Sequence, residues 1–474
     1  MPCPIACKSA NFSQVGNVLF PTWERFIPNL GNRLCRFACR RTLCSHKWEC
    51  IIFRRFANRR LEYEKLFVLL QPELTKQIVE KMKKLQLLNN LALAASCLIF
   101  TSCAIVRGYK ADGAAGPTSY SFEHHVHDTI ANGPTAFSFP YAKQQAEWID
   151  TLHFFTQPPA YKKPRTLWQA LDGKTDTQGV LIIQNDSIIY EKCVGDITTD
   201  RLATVFSVSK SITSLLCGIA VDEGYIKSID DPVTDYLPEL KKKDKMWQKL
   251  TIRHLLDMRS GLDFDDTYSL RLKDLKRLNA MAKLNYGKNV MKQIRGLKFE
   301  NEPGTKHKYE SMTTQILGVV IQRATGQSYT SYLSEKVWKP LQMESPAIVN
   351  IDSKKHRMAH AFGGISTSMK DIAKIGRLYL NKGMWNGKRI VSEEWIKQST
   401  DYNTDNEGYH FNWYNTSWMT EKPEYPGFYA HGIRAQVLYV NPYKNLIMVR
   451  FGKRDDTYAF IPYMFELLSN CKEF

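Results

Sequence analysis

The chain has 474 residues, 43% of them hydrophobic, which is enough for one large domain or two of ordinary size. Its formal net charge of +18 is unevenly distributed along the chain, since residues 1–81 hold 14 Lys and Arg against 6 Asp and Glu. The remaining charge is spread thinly, without a basic stripe interleaved with aromatic residues, so the sequence argues against a nucleic-acid partner. No phosphate loop, dinucleotide fingerprint or His-Glu-x-x-His motif occurs, and we expect neither a cofactor nor a metal site.

Residues 1–81 show neither the helical nor the alternating hydrophobic period of a folded domain. They hold six of the eleven cysteines, namely Cys3, Cys7, Cys35, Cys39, Cys44 and Cys50. A zinc site at Cys35 to Cys50, with His46 among the ligands, is one interpretation, but the paired C-x-x-C spacing of such sites is missing. We therefore expect an over-extended or non-functional N-terminal stretch.

Residues 82–103, "MKKLQLLNNLALAASCLIFTSC", have the anatomy of a bacterial export signal. A Lys-Lys pair follows Met82, an apolar segment comes next, and small residues precede Cys103. The last four residues resemble a lipobox, with Phe100 where Leu is usual. An uncleaved membrane anchor is the alternative, although the apolar run 91–106 has 16 residues and a spanning helix needs about 20. We expect lipid attachment at Cys103, with the protein on the outer membrane of the cell envelope and facing the periplasm.

Residues 104–145 are polar and rich in Gly, Pro and Ser, which predicts a linker before a domain at 146–474. Two β-branched runs around Asn185-Asp186 predict a hairpin. "AQVLYVNPYKNLIMVRFGK" predicts a second pair of strands, and "TYAFIPYMFELLSNCKEF" a closing amphipathic helix. We expect an α/β sandwich of the α+β class: an antiparallel sheet built from N- and C-terminal strands, flanked by helices, with an inserted, mainly helical subdomain.

The segment 204–224, "TVFSVSKSITSLLCGIAVDEG", predicts a helix with polar residues in its first turn. One face is apolar and consists of Val208, Ile212, Leu215, Leu216 and Ile219. The i, i+3 spacing places the Ser207 hydroxyl beside the Lys210 amine. Burial would lower the pKa of the lysine and produce a neutral amine that can take a proton from serine. A capping serine with a surface lysine is the alternative, and Ser-x-x-Lys occurs again at Ser469–Lys472.

Further stretches accompany this helix: "LLDMRSGLDFDD", "KYESMTTQILGVVIQRATG" with Tyr309-x-Ser311, "AFGGISTSMKDIAK" and "YAHGIRAQVLYV". Together they resemble the serine β-lactamase and penicillin-binding protein superfamily, on its class C-like side, over about residues 165–465. Within it, the helix and the last stretch are most similar to the branch of 6-aminohexanoate-dimer hydrolases and esterases. The resemblance implies a serine hydrolase that cleaves amide or ester bonds of a small-molecule substrate through an acyl-serine intermediate.

The resemblance also implies roles for individual residues. Ser207 matches the acylated nucleophile, Lys210 its activating partner and Tyr309 the tyrosine that passes a proton to the leaving group. Ser311 stands where the family has asparagine, and would support the site. The backbone N–H groups of Ser207 and Ile433 would form the oxyanion hole.

The third family motif, Lys-Thr-Gly or His-Thr-Gly, aligns with Ala430-His431-Gly432, so the usual cation is missing. Gly432 would allow the backbone to approach the substrate closely. Alternation along a strand would direct His431 to the opposite face of the sheet. A shifted register that places His431 in the cation position is the alternative.

Other functions remain open at this stage. A true β-lactamase or D-Ala-D-Ala peptidase is the alternative within the same fold, which hosts several chemistries. Alternatives of another class are a penicillin-type sensor, which acylates and stalls, and a non-catalytic lipoprotein that has kept the fold.

Overall fold

The structure, a computed structural model, describes residues 5–6, 104–112, 116–155, 165–166, 168, 177–195, 197–266, 280–401, 408–419, 426–453 and 460–474. The described residues fall into two compact units: residues 104–112 belong to one, and residues 5–6 with the described residues from 116 onward belong to the other. The expectations for residues 1–81, apart from 5–6, and for the signal segment with Cys103 lie outside the described residues. Within the described ranges, no helix is both long and apolar enough to cross a membrane.

The elements are numbered separately for strands and helices. The strands are β1 Ile5–Ala6, β2 His127–Ile130, β3 His153–Phe155, β4 Arg165–Thr166, β5 Thr177–Gln184, β6 Ser187–Cys193, β7 Ala203–Thr204, β8 Ala347–Asn350, β9 Ile365–Thr367, β10 Met384–Trp385, β11 Lys388–Arg389, β12 Tyr409–His410, β13 Trp413–Asn415, β14 Phe428–Gly432, β15 Gln436–Asn441 and β16 Leu446–Gly452. The α-helices are α1 Ala104–Asp112, α2 Trp148–Thr151, α3 Val208–Asp222, α4 Val233–Tyr236, α5 Ile252–Leu256, α6 Ala280–Tyr286, α7 Val290–Ile294, α8 Ser311–Thr325, α9 Tyr329–Leu333, α10 Met369–Leu380, α11 Glu393–Thr400 and α12 Phe460–Ser469.

The main sheet has seven strands in the order β12-β13-β14-β15-β16-β5-β6, and every neighbouring pair is antiparallel. Its centre joins the two ends of the domain, because β16 pairs with β5 in a register that places Ile447 opposite Ile183. The predicted hairpin forms as β5 and β6, and Asn185 and Asp186 have the positive φ values of 50° and 60° that a type I′ turn requires. The predicted α+β fold, an open antiparallel sheet with flanking helices, is therefore confirmed.

Successive side chains of a strand point to opposite faces of the sheet, and in the central strands both sets are apolar. The sheet therefore has an apolar core on each face. Leu181, Leu438 and Val449 belong to the larger core, together with α3, α8 and α10. Val180 and Val437 belong to a second core that is covered by α12. The site described below lies on the α3 side, and α12 supports the sheet from behind.

A smaller sheet, β2-β8-β9-β7, corrects one prediction from the sequence. Strand β2 pairs with β8 in a register that places Ile130 opposite Ala347, and Ile130 and Phe139 are buried in the larger core. The polar linker expected at 104–145 is therefore wrong from residue 116 onward, and the folded unit begins well before residue 146. The linker prediction failed because the few apolar residues of this stretch are too widely spaced to show a period.

Candidate active site

The predicted helix forms as α3, and Ser207 occupies its N-cap position. The chain enters from β7 through Val205, whose N–H donates to the Ile365 carbonyl at 2.9 Å. Phe206 then adopts a φ of 46°, which is unusual for a residue with a side chain. Ser207 follows this sharp turn and is half-buried, while α3 itself is buried almost to its end. Such strained backbone is common at functional sites.

The amine of Lys210 contacts the Ser207 hydroxyl, as the i, i+3 spacing predicts. The Nζ–Oγ distance is 2.9 Å. Two further oxygens surround the same nitrogen: Ser311 Oγ at 3.2 Å and the Phe362 carbonyl at 2.9 Å. Lys210 is 1% exposed, so these three oxygens, and not water, are the hydrogen-bond partners of its amine.

The direction of each hydrogen bond follows from Asp266. The Ser311 hydroxyl donates to Asp266 Oδ2 at 2.8 Å, and the Ser311 N–H donates to both carboxylate oxygens at 2.9–3.0 Å. Because the Ser311 hydroxyl donates its one hydrogen to Asp266, its oxygen is left to accept a hydrogen bond from Lys210. The Phe362 carbonyl can only accept. A neutral Lys210 uses its two N–H groups for these acceptors, so its lone pair faces Ser207.

Burial lowers the pKa of Lys210 to about 8, and the Asp266 carboxylate opposes this effect. Burial also raises the pKa of Asp266, while the charge of Lys210 lowers it. The aromatic rings of Tyr309 and Phe362 lie 5.0 Å and 5.7 Å from Lys210 Nζ and exclude solvent on that side. The amine can therefore lose its proton at a much lower pH than an exposed lysine.

Tyr309 lies two residues before Ser311, the first residue of α8, so one short segment brings both side chains to Lys210. The ring of Tyr309 meets Tyr409 edge to face, with their centroids 6.0 Å apart. Tyr409 belongs to β12 at one edge of the main sheet. The tyrosine is thus fixed between the helical region and the sheet, next to the amine.

Strand β14 ends against the start of α3. A Cβ atom at Gly432 would overlap the Val205 carbonyl and lie 3.0 Å from the Ser207 nitrogen, so only glycine allows this approach. Ile433 follows in a short 3₁₀ turn, Ile433–Ala435, which connects β14 to β15. The structure thus places the backbone of Gly432 beside the nitrogen of Ser207, and Ile433 follows directly in the chain.

Ala430 and His431 point to opposite faces of β14. Ala430 packs in the larger core on the α3 side. His431 pairs across the strands with Val437, which belongs to the core behind the sheet. Burial, with a smaller contribution from Arg450, lowers the pKa of His431 to about 3. His431 is therefore neutral and lies away from Lys210, as the unshifted register expects.

Sequence reasoning missed Asp266, which fixes the direction of the hydrogen bonds around Lys210. The available signal was the acidic run Asp263-Phe264-Asp265-Asp266 after Gly261, but nothing in the pattern distinguishes one acid from the next. In the structure, Asp266 is the residue of this run that accepts hydrogen bonds from the Ser311 hydroxyl and N–H. In the part of the chain that the structure describes, no group of His, Cys, Asp and Glu residues is suited to hold a metal ion.

Comparison with known proteins defines the class. Residues 165–467 match the family model described as Beta-lactamase, so the chain belongs to the β-lactamase family. This family is part of a superfamily of serine hydrolases. This confirms the resemblance to the β-lactamase and penicillin-binding protein superfamily.

Individual relatives agree with this assignment. The 6-aminohexanoate-dimer hydrolase of Paenarthrobacter ureafaciens is 25% identical over 301 residues, which cover 60% of this chain and 74% of that protein. Protein flp of Staphylococcus aureus (strain MW2) is 29% identical over 174 residues, 35% of this chain, and the match spans only a third of flp. In structure, a putative 6-aminohexanoate-dimer hydrolase from Bacillus anthracis aligns with a TM-score of 0.64 at 20% identity, covering 74% of this chain and 91% of that one.

Proposed function

We propose that this protein hydrolyses an amide or ester bond of a small molecule through an acyl intermediate on Ser207. The single observation that carries the proposal is the arrangement around Lys210, whose amine lies 2.9 Å from Ser207 Oγ and whose other two contacts are acceptors. A neutral amine in this arrangement can only accept a proton from serine.

Acylation begins when Lys210 takes the Ser207 proton and Oγ attacks the carbonyl carbon of the substrate. The electron pair of the C=O bond moves to the oxygen, which is stabilised by the N–H groups of Ser207 and Ile433. The N-terminus of α3 also favours negative charge at this place.

The tetrahedral intermediate collapses when the bond to the leaving group breaks and that group receives a proton through Tyr309. Lys210 supplies the proton, and its ring contact with Tyr309 places the two groups side by side. A water molecule then attacks the acyl-serine by the reverse sequence of proton transfers, which releases the acid and restores Ser207.

For the substrate, we propose a linear amide or a short ester rather than a β-lactam. Ala430 stands at the position where relatives that hold the β-lactam carboxylate carry a cation, and His431 lies on the other face of the sheet with its pKa lowered to about 3. A substrate without a carboxylate at this place loses nothing from the missing cation.

Intact-mass spectrometry after brief and long exposure to a p-nitrophenyl ester tests the proposal. Turnover, with an acyl adduct seen only briefly, is the expected result. An adduct that persists without turnover would indicate a penicillin-type sensor. The absence of any adduct and of any turnover would indicate a non-catalytic protein.

A further inference from the structure

Strand β16 carries a buried arginine on the face of the sheet opposite to Ser207. Arg450 lies opposite Val437 on β15 and Val180 on β5, which both belong to the core behind the sheet. Its side chain is completely buried. Burying a guanidinium costs free energy unless its N–H donors find hydrogen-bond acceptors. The acceptors that Arg450 contacts therefore indicate its structural role.

The guanidinium bonds the backbone of the turn that follows Gly432. Arg450 Nη1 donates to the Arg434 carbonyl at 2.7 Å and to the Ala435 carbonyl at 2.8 Å. The other side of the fork, Nε and Nη2, donates to Thr177 Oγ1 at 3.0 Å and 2.9 Å. One rigid group therefore joins the connection between β14 and β15 to the first residue of β5.

The turn needs such support because its backbone is unfavourable. Arg434 and Ala435 have φ values of 67° and 52°, in the left-handed region that residues with a Cβ rarely adopt. Conformations of this kind persist when the surrounding structure fixes them. The two carbonyls held by Arg450 belong to these two residues.

The neighbouring residues are arranged around the guanidinium. A Cβ at Gly452 would overlap it, so the glycine two positions further along β16 leaves the space that it fills. The Gln436 amide donates to the Gly452 carbonyl at 2.6 Å, and Ser119 Oγ donates to the same carbonyl at 2.9 Å. These hydrogen bonds fix the backbone of Gly452, which leaves the space that the guanidinium occupies.

We propose that Arg450 is a positioning residue, which holds the turn Ile433–Ala435 so that the Ile433 N–H points at the oxyanion. This inference rests on the proposed function, because the oxyanion forms only in the acyl-transfer reaction. A lysine cannot replace Arg450 fully, since a single ammonium lacks the planar fork that joins two carbonyls to a hydroxyl.

The test compares Arg450→Lys and Arg450→Met with Arg377→Met. Arg377 is the matched control because it is largely buried and makes a two-bond contact with Asp186, at 2.7–2.8 Å, near the opposite end of β5. A fluorophosphonate, which forms a tetrahedral anionic adduct on serine, gives two readouts. The endpoint of labelling counts folded, competent molecules, and the rate reports stabilisation of the oxyanion.

We expect Arg450→Met to lower kcat for a p-nitrophenyl ester and the rate of phosphonylation by about 10²-fold, because a small displacement of a catalytic group has an effect of this size. KM and the midpoint of the pH–rate profile should stay unchanged, since Lys210 is not altered. Arg450→Lys should fall between wild type and Arg450→Met. Arg377→Met should retain wild-type rates per competent molecule, whatever its stability.

Equal rates per competent molecule in wild type and Arg450→Met, or the same loss in Arg377→Met, would overturn the inference.

If neither Arg450 variant yields folded protein, Thr177→Val is tested instead, because it removes the hydroxyl that accepts from Arg450 Nε and Nη2 and leaves the guanidinium in the protein. A reduced rate with unchanged KM supports the inference, and an unchanged rate overturns it. The proposed function fails separately, if Ser207→Ala retains the wild-type turnover.

Discussion

Two Ser-x-x-Lys sequences in this chain have the same spacing and different surroundings. Ser207 stands at the N-terminus of α3, and Lys210 is buried among Ser207, Ser311 and the Phe362 carbonyl. Ser469 is the last residue of α12, and its hydroxyl contacts Tyr439 at 2.9 Å and the Glu466 carbonyl at 2.8 Å. Lys472 is exposed to solvent.

The difference predicts that the environment, and not the spacing, makes Ser207 a nucleophile. Desolvation lowers the pKa of Lys210, whereas the side chain of Lys472 is exposed to solvent. A helix N-terminus favours the negative charge of an adduct, and a C-terminus opposes it. The contacts of Ser469 with Tyr439 and Glu466 make it part of a buried structural network. The following experiments compare the two Ser-x-x-Lys sequences.

The largest expected effect separates the two serines. Ser207→Ala should abolish hydrolysis of a p-nitrophenyl ester, because the acyl acceptor is gone. Ser469→Ala should leave kcat and KM unchanged, although it removes hydrogen bonds behind the sheet and should lower the melting temperature. Steady-state kinetics on both variants is the measurement, and near-normal turnover by Ser207→Ala would show that another group is acylated.

The two lysines should differ in the same way. Lys210→Met and Tyr309→Phe should each lower kcat by about 10²–10⁴-fold, the usual contribution of a general acid or base. Lys472→Met should have no effect. The same ester assay measures all three, and a wild-type kcat in Lys210→Met would exclude the amine as the base.

The proposed alignment of Ala430 with the cation of the family motif predicts poor β-lactamase activity. A missing charge-assisted hydrogen bond to the substrate carboxylate removes about 1.5–3 kcal/mol of binding, or roughly 10- to 150-fold in affinity. Nitrocefin turnover should therefore be weak or absent in a preparation that hydrolyses short esters or linear amides. Efficient nitrocefin turnover would contradict this assignment of the third motif.

The environment of Lys210 also predicts the pH dependence. The base must be unprotonated, so kcat/KM should rise with pH and level off above a midpoint near 8, the pKa that burial gives Lys210. Asp266 stabilises the ammonium form, so Asp266→Asn should lower this midpoint by about one unit. A pH–rate profile of both proteins is the measurement, and a higher or unchanged midpoint in Asp266→Asn would refute the role of the carboxylate.

The smallest effect on the chemistry is expected at Cys103, the predicted site of lipid attachment. We propose that the mature protein begins at a lipid-modified Cys103, so Cys103→Ala should abolish the modification and leave ester hydrolysis unchanged. Intact-mass analysis of the membrane fraction of the native host measures the first effect. A species with an unmodified Cys103, or one that retains Met1, would rule out the proposal.

Local patterns in the sequence were sufficient to predict the central part of the fold. The β5–β6 turn carries Asn185-Asp186, which tolerates positive φ, and the apolar face of α3 repeats at helical spacing. The apolar runs at both ends of the domain indicated that one sheet combines strands from both ends, and the pairing of β16 with β5 is how the structure does so. Strand β2 was missed because its pairing with β8 depends on contacts more than 200 residues apart in the chain, and Ile130 alone provides its buried side chain.

The candidate site was predictable where neighbours in sequence meet in space, as Ser207 and Lys210 do. Asp266 and Arg450 were not predictable, because each acts on a segment that is distant in sequence. Asp266 reaches Ser311 across 45 residues, and Arg450 reaches the turn at Arg434 from behind the sheet. Asp266 lies in a run of acidic residues, and Arg450 is a single cation in an apolar strand. Neither pattern repeats along the sequence in a way that would predict these contacts.

The most direct test of the central claim is to map the site of phosphonylation. Wild-type protein treated with a fluorophosphonate and digested should carry the label on the peptide containing Ser207 and not on the peptide containing Ser469. The label should be lost, or form far more slowly, in Lys210→Met, and should persist in Lys472→Met. Labelling of another serine, or equal rates in the two lysine variants, would contradict the claim that the surroundings of Lys210 make Ser207 a nucleophile.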